Sequence, residues 1–428
     1  MNSNNGREIN NISSLPIDWK LMELGSVLSF ITDGVHNPPK RTVNGIKLLA
    51  GATNIKYMNV DFKNCTYISK EDYNKIHKFY SIEPKDILLT IVGTVGNVAV
   101  VKENDLPFSI QRSIALLRSG PLIYYKFLFY WLSSSEFKKK IYSYMNSTAQ
   151  PGIYLGVIKQ LQMPVPKISE QKAIAKILSD LDAKIELNKK MNKTLEAIAQ
   201  TIFKHWFIDF EFPNEEGKPY KSSGREMVES DLGLIPKNWC IKKLDNVANF
   251  LNGLALQKYP ATSEKDYLPV IKIKEIHSGI SDSSDKASGD IPPEYIVNDG
   301  DVLFAWSGSL GISIWCNGEG ALNQHIFKVT SDEYPKWFYY EWLLHYLPGF
   351  KEVAKDKATT MGHIQRHHLS ESLVIVPDSN TLNIMNNIFK HLINRIINLK
   401  VESKTLKDTR DLLLPKLISG KIRVPLED

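Results

Sequence analysis

The sequence has 428 residues, which is room for two domains of ordinary size, each with its own hydrophobic core. Its 43% hydrophobic and 23% charged residues are typical of a soluble globular protein, and no stretch approaches the roughly 20 continuous apolar residues that a membrane span needs. The net charge of +6 is compatible with a polyanionic partner. The three cysteines are widely spaced and lack a Cys-x-x-Cys or Cys/His pattern, which indicates reduced thiols, no metal site and a cytoplasmic protein.

The chain begins with a polar segment, residues 1–14, that contains no apolar stretch. We expect this segment to be a flexible N-terminus rather than a signal peptide.

Short runs of β-branched and aromatic residues, broken by Gly, Pro, Asn and Asp, occur in the first half of the chain and again in the second. An aromatic run after each set predicts a helix, at Tyr124–Leu132 and at Trp337–Tyr346, whose aromatic side chains we expect in a core. The sequence thus predicts two β-rich globular domains. The predicted strands are Ile46–Leu49, Ile87–Val92, Val98–Val101, Leu268–Ile273, Val302–Trp306 and Ile312–Trp315.

The two halves are copies of one unit. The order of landmarks is the same in both, while the offset between them drifts from 220 down to 210 or 211. Ordered matches with a drifting offset are expected of a duplicated domain whose loops have gained and lost residues. The matched segments are 16–19 with 236–239, 86–96 with 301–311, 111–112 with 324–325, Gly152 with Gly362, and 163–166 with 374–377.

After each β-rich domain the apolar spacing changes to alternating steps of four and three residues, and every such position in the second copy lies 211 residues after its match in the first. Sustained heptads of this kind predict a long helix in a coiled coil. The residues expected to pack between the helices are Ile174, Leu178, Leu181, Ile185, Asn188, Asn192, Leu195, Ile202, Phe389, Leu392, Ile396, Leu399, Ser403, Leu406 and Leu413.

Each helix of about 40 residues would be roughly 60 Å long, and its apolar stripe needs a partner. The simplest partner is the other helix, packed antiparallel because a whole domain separates the two in sequence. Polar residues at core positions, Asn188, Asn192 and Ser403, would fix the register. The alternative is that each helix packs on its own domain. The expected fold is α+β: two β-rich domains, each followed by a long helix, with a pseudo-two-fold axis across an antiparallel helix pair.

Motifs that suggest catalysis are incomplete. Asn37-Pro-Pro-Lys40 has lysine where amino-methyltransferases carry the aromatic residue that stacks on a flipped base, and no glycine-rich cofactor loop accompanies it. Residues 363–367 have the His spacing of a zinc helix without its glutamate, and residues 318–320 lack the third glycine of a dinucleotide fingerprint. No Walker loop is present, so we expect a protein that is not an enzyme.

These residues resemble the specificity (S) subunits of type I restriction–modification systems, from about Leu15 to Gly420. The shared features are an Ile/Leu-Pro-x-x-Trp opening in each copy, the Asp-Gly-x-His loop from Asp33 to Arg41, Gly-Asp-Val-Leu-type strands that run into Gly-x-x-Gly, and the segment from Val165 to Gln171 before the first long helix. The second copy departs from this pattern, since Asn252-Gly253 replaces Asp-Gly and Pro377 is followed by Asp-Ser-Asn-Thr.

The resemblance implies that the two domains are target recognition domains that read a two-part double-stranded DNA site. Two methyltransferase (M) subunits would dock on the chain, and restriction (R) subunits would join through them. The chain would hold no cofactor, because S-adenosylmethionine, ATP and Mg would bind the partner subunits. The implied layout is 15–166 and 236–377 for the recognition domains, 167–209 and 378–420 for the central and distal spacer helices, 210–235 for a linker, and 421–428 for a C-terminal tail.

Base reading needs hydrogen-bond donors and acceptors on loops, with basic residues nearby for phosphates. The predicted DNA-binding residues of the first domain are Thr32, His36, Lys40, Arg41, Gln111, Arg112, Gln150 and Tyr154. Those of the second are Gln257, Lys258, Tyr259, Ser307, Gln324, His325, His363 and Arg366.

Two other functions stay open from the sequence. A self-contained adenine methyltransferase would bind S-adenosylmethionine without a partner. A coiled-coil assembly protein without a DNA role would fail to bind DNA even with a methyltransferase subunit present.

Overall fold

The computed structural model of the protein describes residues 15–145, 151–263, 265–356 and 362–425. The chain divides into two compact units, residues 1–183 with 407–428 (unit 1) and residues 184–406 (unit 2). Both boundaries fall inside the long helices, so each unit contains one globular domain and a part of each helix. The predicted flexible N-terminus and residues 426–428 of the predicted tail lie outside the described residues.

Two small sheets form the globular part of unit 1. One is a four-stranded antiparallel sheet in the order Leu28–Asp33, Ile114–Ser119, Ile87–Thr90, Val98–Val100. The other has the order Thr66–Ile68, Ile46–Leu49, Phe108–Ile110, in which the last two strands are parallel. Two further strand pairs are Ile55–Lys56 with Asn59–Val60, and Lys20–Glu23 with Gln162–Val165. The short helices of this unit are Leu24–Val27, Lys70–Ile76, Glu103–Asp105 (a 3-10 turn), Tyr125–Ser133, Ser135–Ser143 and Leu155–Gln160.

The strand Ile87–Thr90 lies at the centre of unit 1 and is buried along its whole length. Ile87 and Leu89 pack in the same core as the aromatic helix Tyr125–Ser133, whereas Leu88 packs on the opposite side with Phe108. Successive side chains of a strand point to opposite faces, so a strand buried on both faces must be apolar throughout. This requirement explains the apolar run Ile87–Leu89. Thr90, the polar residue of the strand, is buried with its hydroxyl donating to Thr94 O at 2.6 Å.

Unit 2 repeats this topology. Its antiparallel sheet has the order Asn249–Asn252, Ile326–Thr330, Val302–Ala305, Gly311–Ile314. Its second sheet has the order Lys286–Ser288, Tyr267–Ile271, Gly320–Leu322, Ile296–Val297, with the middle two strands parallel. Cys240–Lys243 pairs with Leu373–Val376, as Lys20–Glu23 pairs with Gln162–Val165 in unit 1. The remaining elements are the strands Met227–Val228 and Ile235–Pro236, the helices Leu244–Val247, Ile273–Ser278, Lys336–Asp356 and Arg366–Glu371, and 3-10 turns at Leu256–Lys258 and Pro293–Tyr295.

The first long helix is Ile168–Phe203, extended by a π-helical turn at Lys204–Ile208, and the second is Ser379–Ile418. They form an antiparallel coiled coil. In unit 2, Lys400 Nζ lies 2.9 Å from Glu196 Oε1 and Asn188 Nδ2 donates to Glu402 Oε2 at 2.8 Å, so the numbering rises along one helix as it falls along the other. In unit 1, Arg410 Nη1 donates to Asp182 Oδ1 at 2.6 Å.

The residues expected between the helices all lie in buried or half-buried positions. Asn188 and Asn192 are buried, and each has an Oδ1 atom without a hydrogen-bond partner among the described residues. Asp182 was not predicted to be buried, because it lies outside the apolar stripe of the heptads. It is nevertheless only 4% exposed.

The two long helices begin with different side-chain hydrogen bonds. Gln171 in the first helix is fully buried; its side chain accepts a hydrogen bond from Tyr124 N and donates to the carbonyl oxygens of Leu122 and Pro166. At the second helix, Asp378 instead accepts hydrogen bonds from the backbone N–H groups of Asn380 and Thr381, each at 3.1 Å. An aspartate at this position satisfies N–H groups that the first turn leaves free. The departure of the second copy after Pro377 therefore replaces a glutamine that ties the helix to neighbouring segments with an aspartate that caps the helix.

A tryptophan follows the opening proline of each copy and packs near an end of the helix pair. In unit 1, Trp19 Nε1 donates to Glu170 Oε2 at 3.0 Å, and Arg423 Nε donates to Glu170 Oε1 at 2.7 Å. In unit 2, Trp239 stacks on Phe212 with 4.7 Å between ring centroids. Phe212 is the counterpart of Arg423 at the 211-residue offset, so equal positions in the two copies use different chemistry.

Candidate nucleic-acid interface

The loop that begins at Gly34 is held against the segment at Gln111. Val35 N donates to Ile110 O at 3.0 Å, and Arg112 N donates to Val35 O at 3.1 Å. A Cβ atom at Gly34 would lie 2.1 Å from Ile110 O, so only glycine allows this close approach. The backbone thus brings two of the predicted DNA-binding segments together.

The third predicted segment of unit 1, around Tyr154, joins the same surface through the loop after the central strand. Gly93 N donates to Pro151 O and Ile153 N donates to Ile91 O, both at 2.9 Å. Ile91 N in turn donates to Ser113 O at 2.9 Å. The backbone therefore links segments that are distant in sequence.

Unit 2 uses the same backbone connections, but they put Gln324 in the place of Arg112 and Asn323 in the place of Gln111, so the predicted match of 111–112 with 324–325 is wrong by one residue. Gln324 N donates to Leu254 O at 3.0 Å, and a Cβ atom at Gly253 would lie 2.3 Å from Asn323 O. Gly308 N donates to Gly362 O at 2.8 Å, which joins the segment that carries His363. The predicted residues Ser307, Gln324, His325, His363 and Arg366 thereby lie on segments that the backbone holds close together.

In unit 1, three cationic side chains, Lys40, Arg41 and Arg112, are exposed. His36 is also exposed, and its Nε2 lies 2.9 Å from Asp33 Oδ2, which orients the ring. The other predicted residues described in unit 1 are Thr32, Gln111 and Tyr154. Thr32 and Gln111 are half-buried, and Thr32 Oγ1 donates to Asp33 O. Tyr154 is 72% exposed. Gln150 lies outside the described residues.

In unit 2, the predicted residues divide into exposed and supporting groups. Gln257, Lys258 and Arg366 are exposed, and Arg366 Nη2 donates to Phe250 O at 3.2 Å. Gln324, His325 and His363 are half-buried. Ser307 is 5% exposed and its Oγ lies 3.1 Å from His325 Nδ1, so it positions the histidine. Tyr259 is half-buried and packs against an apolar cluster that contains Leu256.

The residues that orient these groups were not among those predicted from the sequence. Trp306 Nε1 donates to Asn252 Oδ1 at 3.0 Å, and the Trp306 ring lies 5.9 Å from that of His325. Asn252 precedes Gly253 as Asp33 precedes Gly34, and each contacts a side chain of the candidate surface. The shared Asp/Asn-Gly pair was the available sequence pattern, but the partner of Asn252, Trp306, lies 54 residues away in sequence.

Among the described residues, no cluster of three or more His, Cys, Asp or Glu side chains has a geometry that could hold a metal ion. Within the same residues, no helix combines the length and the apolar character that crossing a membrane requires.

The family profile described as "Type I restriction modification DNA specificity domain" matches residues 16–197 and 236–407. The chain is 27% identical over 380 residues, 84% of each protein, to the type I restriction enzyme MjaIX specificity subunit of Methanocaldococcus jannaschii. It is 23% identical to the HindI specificity subunit of Haemophilus influenzae, over 95% of this chain and all of that protein.

Among solved structures, the type I restriction–modification S subunit from M. genitalium has a similar fold, with a TM-score of 0.53 and 18% identity over 96% of this chain and 98% of that one. The fold, the duplicated profile match and these relatives agree: the chain belongs to the type I restriction–modification DNA specificity family, as a non-catalytic specificity subunit.

Proposed function

We propose that this chain selects a two-part DNA sequence, with each unit reading one half. The observation that supports this proposal most strongly is the pair of equivalent surfaces. The same backbone hydrogen bonds assemble both, through Val35 and Arg112 in unit 1 and through Leu254 and Gln324 in unit 2, while the side chains they present differ. A common frame with different polar side chains suits two surfaces that read different bases.

The chemistry of the first surface fits a DNA groove. Arginine at 41 or 112 offers the bidentate donor pair that recognises guanine O6 and N7, and Gln111 offers the donor and acceptor that recognise adenine. Lys40 would contact phosphates, which position the protein without reading sequence. The candidates for these contacts are the DNA-binding residues predicted from the sequence, which run from Thr32 to Tyr154 in unit 1 and from Gln257 to Arg366 in unit 2.

The remaining parts of the proposal concern partners. Residues 15–166 and 236–377 would be the target recognition domains, and the long helices would separate them and set the spacer between the DNA half-sites. Two methyltransferase subunits would dock on the chain, and restriction subunits through them. S-adenosylmethionine, ATP and Mg would bind those partner subunits. The complex would work in the cytoplasm.

A domain exchange tests the proposal. Residues 15–166 would be replaced by the matching domain of a relative with a different target, and N6-methyladenine would be mapped genome-wide in cells that also express the methyltransferase subunit. One half of the methylated sequence should change and the other half should stay. If both halves changed, or neither did, the assignment of one half-site to each unit would be wrong.

A further inference from the structure

Glu341 has a buried carboxyl group. It lies on the helix Lys336–Asp356 and is 2% exposed, and its Oε2 has no hydrogen-bond partner among the described residues. The side chain lines a pocket of about 520 Å³ in unit 2. The pocket wall is mainly apolar, with Phe203, Ile208, Leu344, Leu347 and Pro348.

The surroundings of Glu341 disfavour its charged form. Burial, and secondly the charge of Glu196, raise the pKa of Glu341 to about 8. Glu196 itself is held by Lys400, whose Nζ lies 2.9 Å from Glu196 Oε1. A buried polar atom with no partner costs free energy, and such atoms are rare in native structures. The group therefore calls for a ligand that supplies the missing donor.

The other copy shows what this place in the fold can hold. The aromatic helices match at an offset of 211, with Trp131 at Trp342, so Glu341 corresponds to Tyr130. In unit 1, Tyr130 Oη donates to Asp182 Oδ2 at 2.7 Å, and the same carboxylate accepts from Arg410 at 2.6 Å and from Tyr57 at 3.1 Å. There the chain itself provides the acid, the guanidinium and the hydroxyl groups.

Unit 2 keeps an acid but has no matching base. At the same offset, Ile393 replaces Asp182 and Ala199 replaces Arg410, so the helix pair offers no guanidinium at this position. Of the two lysines on the pocket wall, Lys204 has its Nζ 3.3 Å from Asp209 Oδ2, and Lys351 is exposed. Among the described residues, neither lysine forms an ion pair with Glu341, and His345, which also lines the pocket, forms none either.

We propose that the pocket beside Glu341 receives a lysine or arginine side chain from the methyltransferase subunit. This inference rests on the proposed function. The apolar wall fits the methylene stem of such a side chain, and Glu341 fits its charged end. Lys204 and Lys351 would repel a free polyamine with several charges more strongly than a side chain with one charge.

The test measures the affinity of the purified methyltransferase subunit for the full chain. A bound cation would replace the proton that Glu341 holds, so Glu341→Gln, which keeps the size of the side chain, removes the carboxylate that binding would form. Leu344→Trp fills the pocket. Glu352→Gln is the matched control, because Glu352 is an exposed acid on the same helix. We expect both pocket variants to lower the affinity by about 30-fold or more and the control to leave it unchanged. Thermal unfolding of each variant shows that the fold is retained.

A second arm separates a partner side chain from a free ligand. Millimolar n-butylguanidinium should displace the methyltransferase subunit from the wild-type chain and should not act on Glu341→Gln. If the wild type and both pocket variants bind the subunit equally, the inference is wrong while the docking part of the proposed function stands. If n-butylguanidinium binding depends on Glu341 but subunit binding does not, the pocket serves free amines, and the partner assignment is wrong. If even the wild type does not bind the subunit, both the inference and the docking part of the proposed function fail.

Discussion

Arg410 Nη1 lies 2.6 Å from Asp182 Oδ1 and joins two residues that are 228 positions apart in sequence. The side chains are 11% and 4% exposed, so both charges are largely removed from water. Their counterparts in the second copy are Ala199 and Ile393, which are buried and apolar. The two ends of one helix pair are thus stabilised by different means, an ion pair with two tyrosine hydroxyls in unit 1 and apolar packing in unit 2.

Replacement of Arg410 by methionine should destabilise unit 1. Asp182 would keep the hydroxyl donors of Tyr57 and Tyr130 but lose its counter-charge, and an uncompensated buried charge costs about 3–5 kcal/mol. Urea unfolding followed by circular dichroism measures the loss. Arg395→Met, at an exposed position of the same helix, is the control and should have an effect within about 0.5 kcal/mol. Equal stability of the two variants would show that the ion pair contributes little.

Glu341 should make the stability of unit 2 fall as pH rises. The pKa of its carboxyl is about 8 in the folded chain and 4.5 as its ordinary value. Between these values the folded state holds a proton that the unfolded state releases, so the free energy of unfolding decreases with pH. Glu341→Gln removes this pH dependence. The free energy of unfolding of the variant minus that of wild type should therefore grow by roughly 1 kcal/mol per pH unit from pH 5 to 8. Denaturant unfolding at several pH values measures it; a difference that does not vary with pH would contradict the assignment.

Gln111 and Gln324 should affect opposite halves of the DNA site. Gln111→Ala should weaken binding to the cognate site by about 1–3 kcal/mol and relax base preference in one half, whereas Gln324→Ala should do so in the other. Competition binding with DNA duplexes substituted at single positions, in the presence of the methyltransferase subunit, measures both effects. Lys40→Ala is the contrast, since loss of a phosphate contact should weaken all sequences alike. If both glutamine variants relaxed base preference in the same half of the DNA site, the two-surface proposal would be contradicted.

The spacer of the DNA site should depend on helix length. Seven residues inserted after Asn192, together with seven after Leu399 on the opposing stretch of the second helix, keep the heptad register. The insertion adds about 10 Å to the pair, which corresponds to about three base pairs of B-DNA. Mapping of N6-methyladenine should show a longer spacer and unchanged half-sites. An insertion in one helix alone is the control, and it should reduce stability because it shifts one side of the interface. An unchanged spacer with both insertions would rule out the helices as the ruler.

Much of the fold follows from local pattern. The strands Ile87–Thr90 and Val302–Ala305 were predicted because an apolar run with β-branched or aromatic residues and turn-forming neighbours fits a strand buried on both faces. The strand Ile114–Ser119 was not predicted, since a run such as Ile-Ala-Leu-Leu fits a buried helix equally well. The long helices were predictable because their heptads persist over many turns.

The groups that make the two units different were not predictable. Asp182 has the pattern of a solvent-facing charge, and its burial depends on Arg410, Tyr57 and Tyr130, none of which is near in sequence. Glu341 sits in an aromatic run that predicted a core helix, and nothing local indicates a pocket beside it. On the candidate DNA surface, the sequence predicted the segments, whereas the supporting contacts of Ser307 with His325 required the fold.

Genome-wide mapping of N6-methyladenine, in cells with and without this chain but always with its methyltransferase subunit, tests the central claim most directly. We expect methylation that depends on the chain and that falls at one sequence made of two defined halves with a spacer of constant length and no base preference. Methylation that is independent of the chain, or that marks a single uninterrupted sequence, would contradict the claim that the two units read two halves of one DNA site.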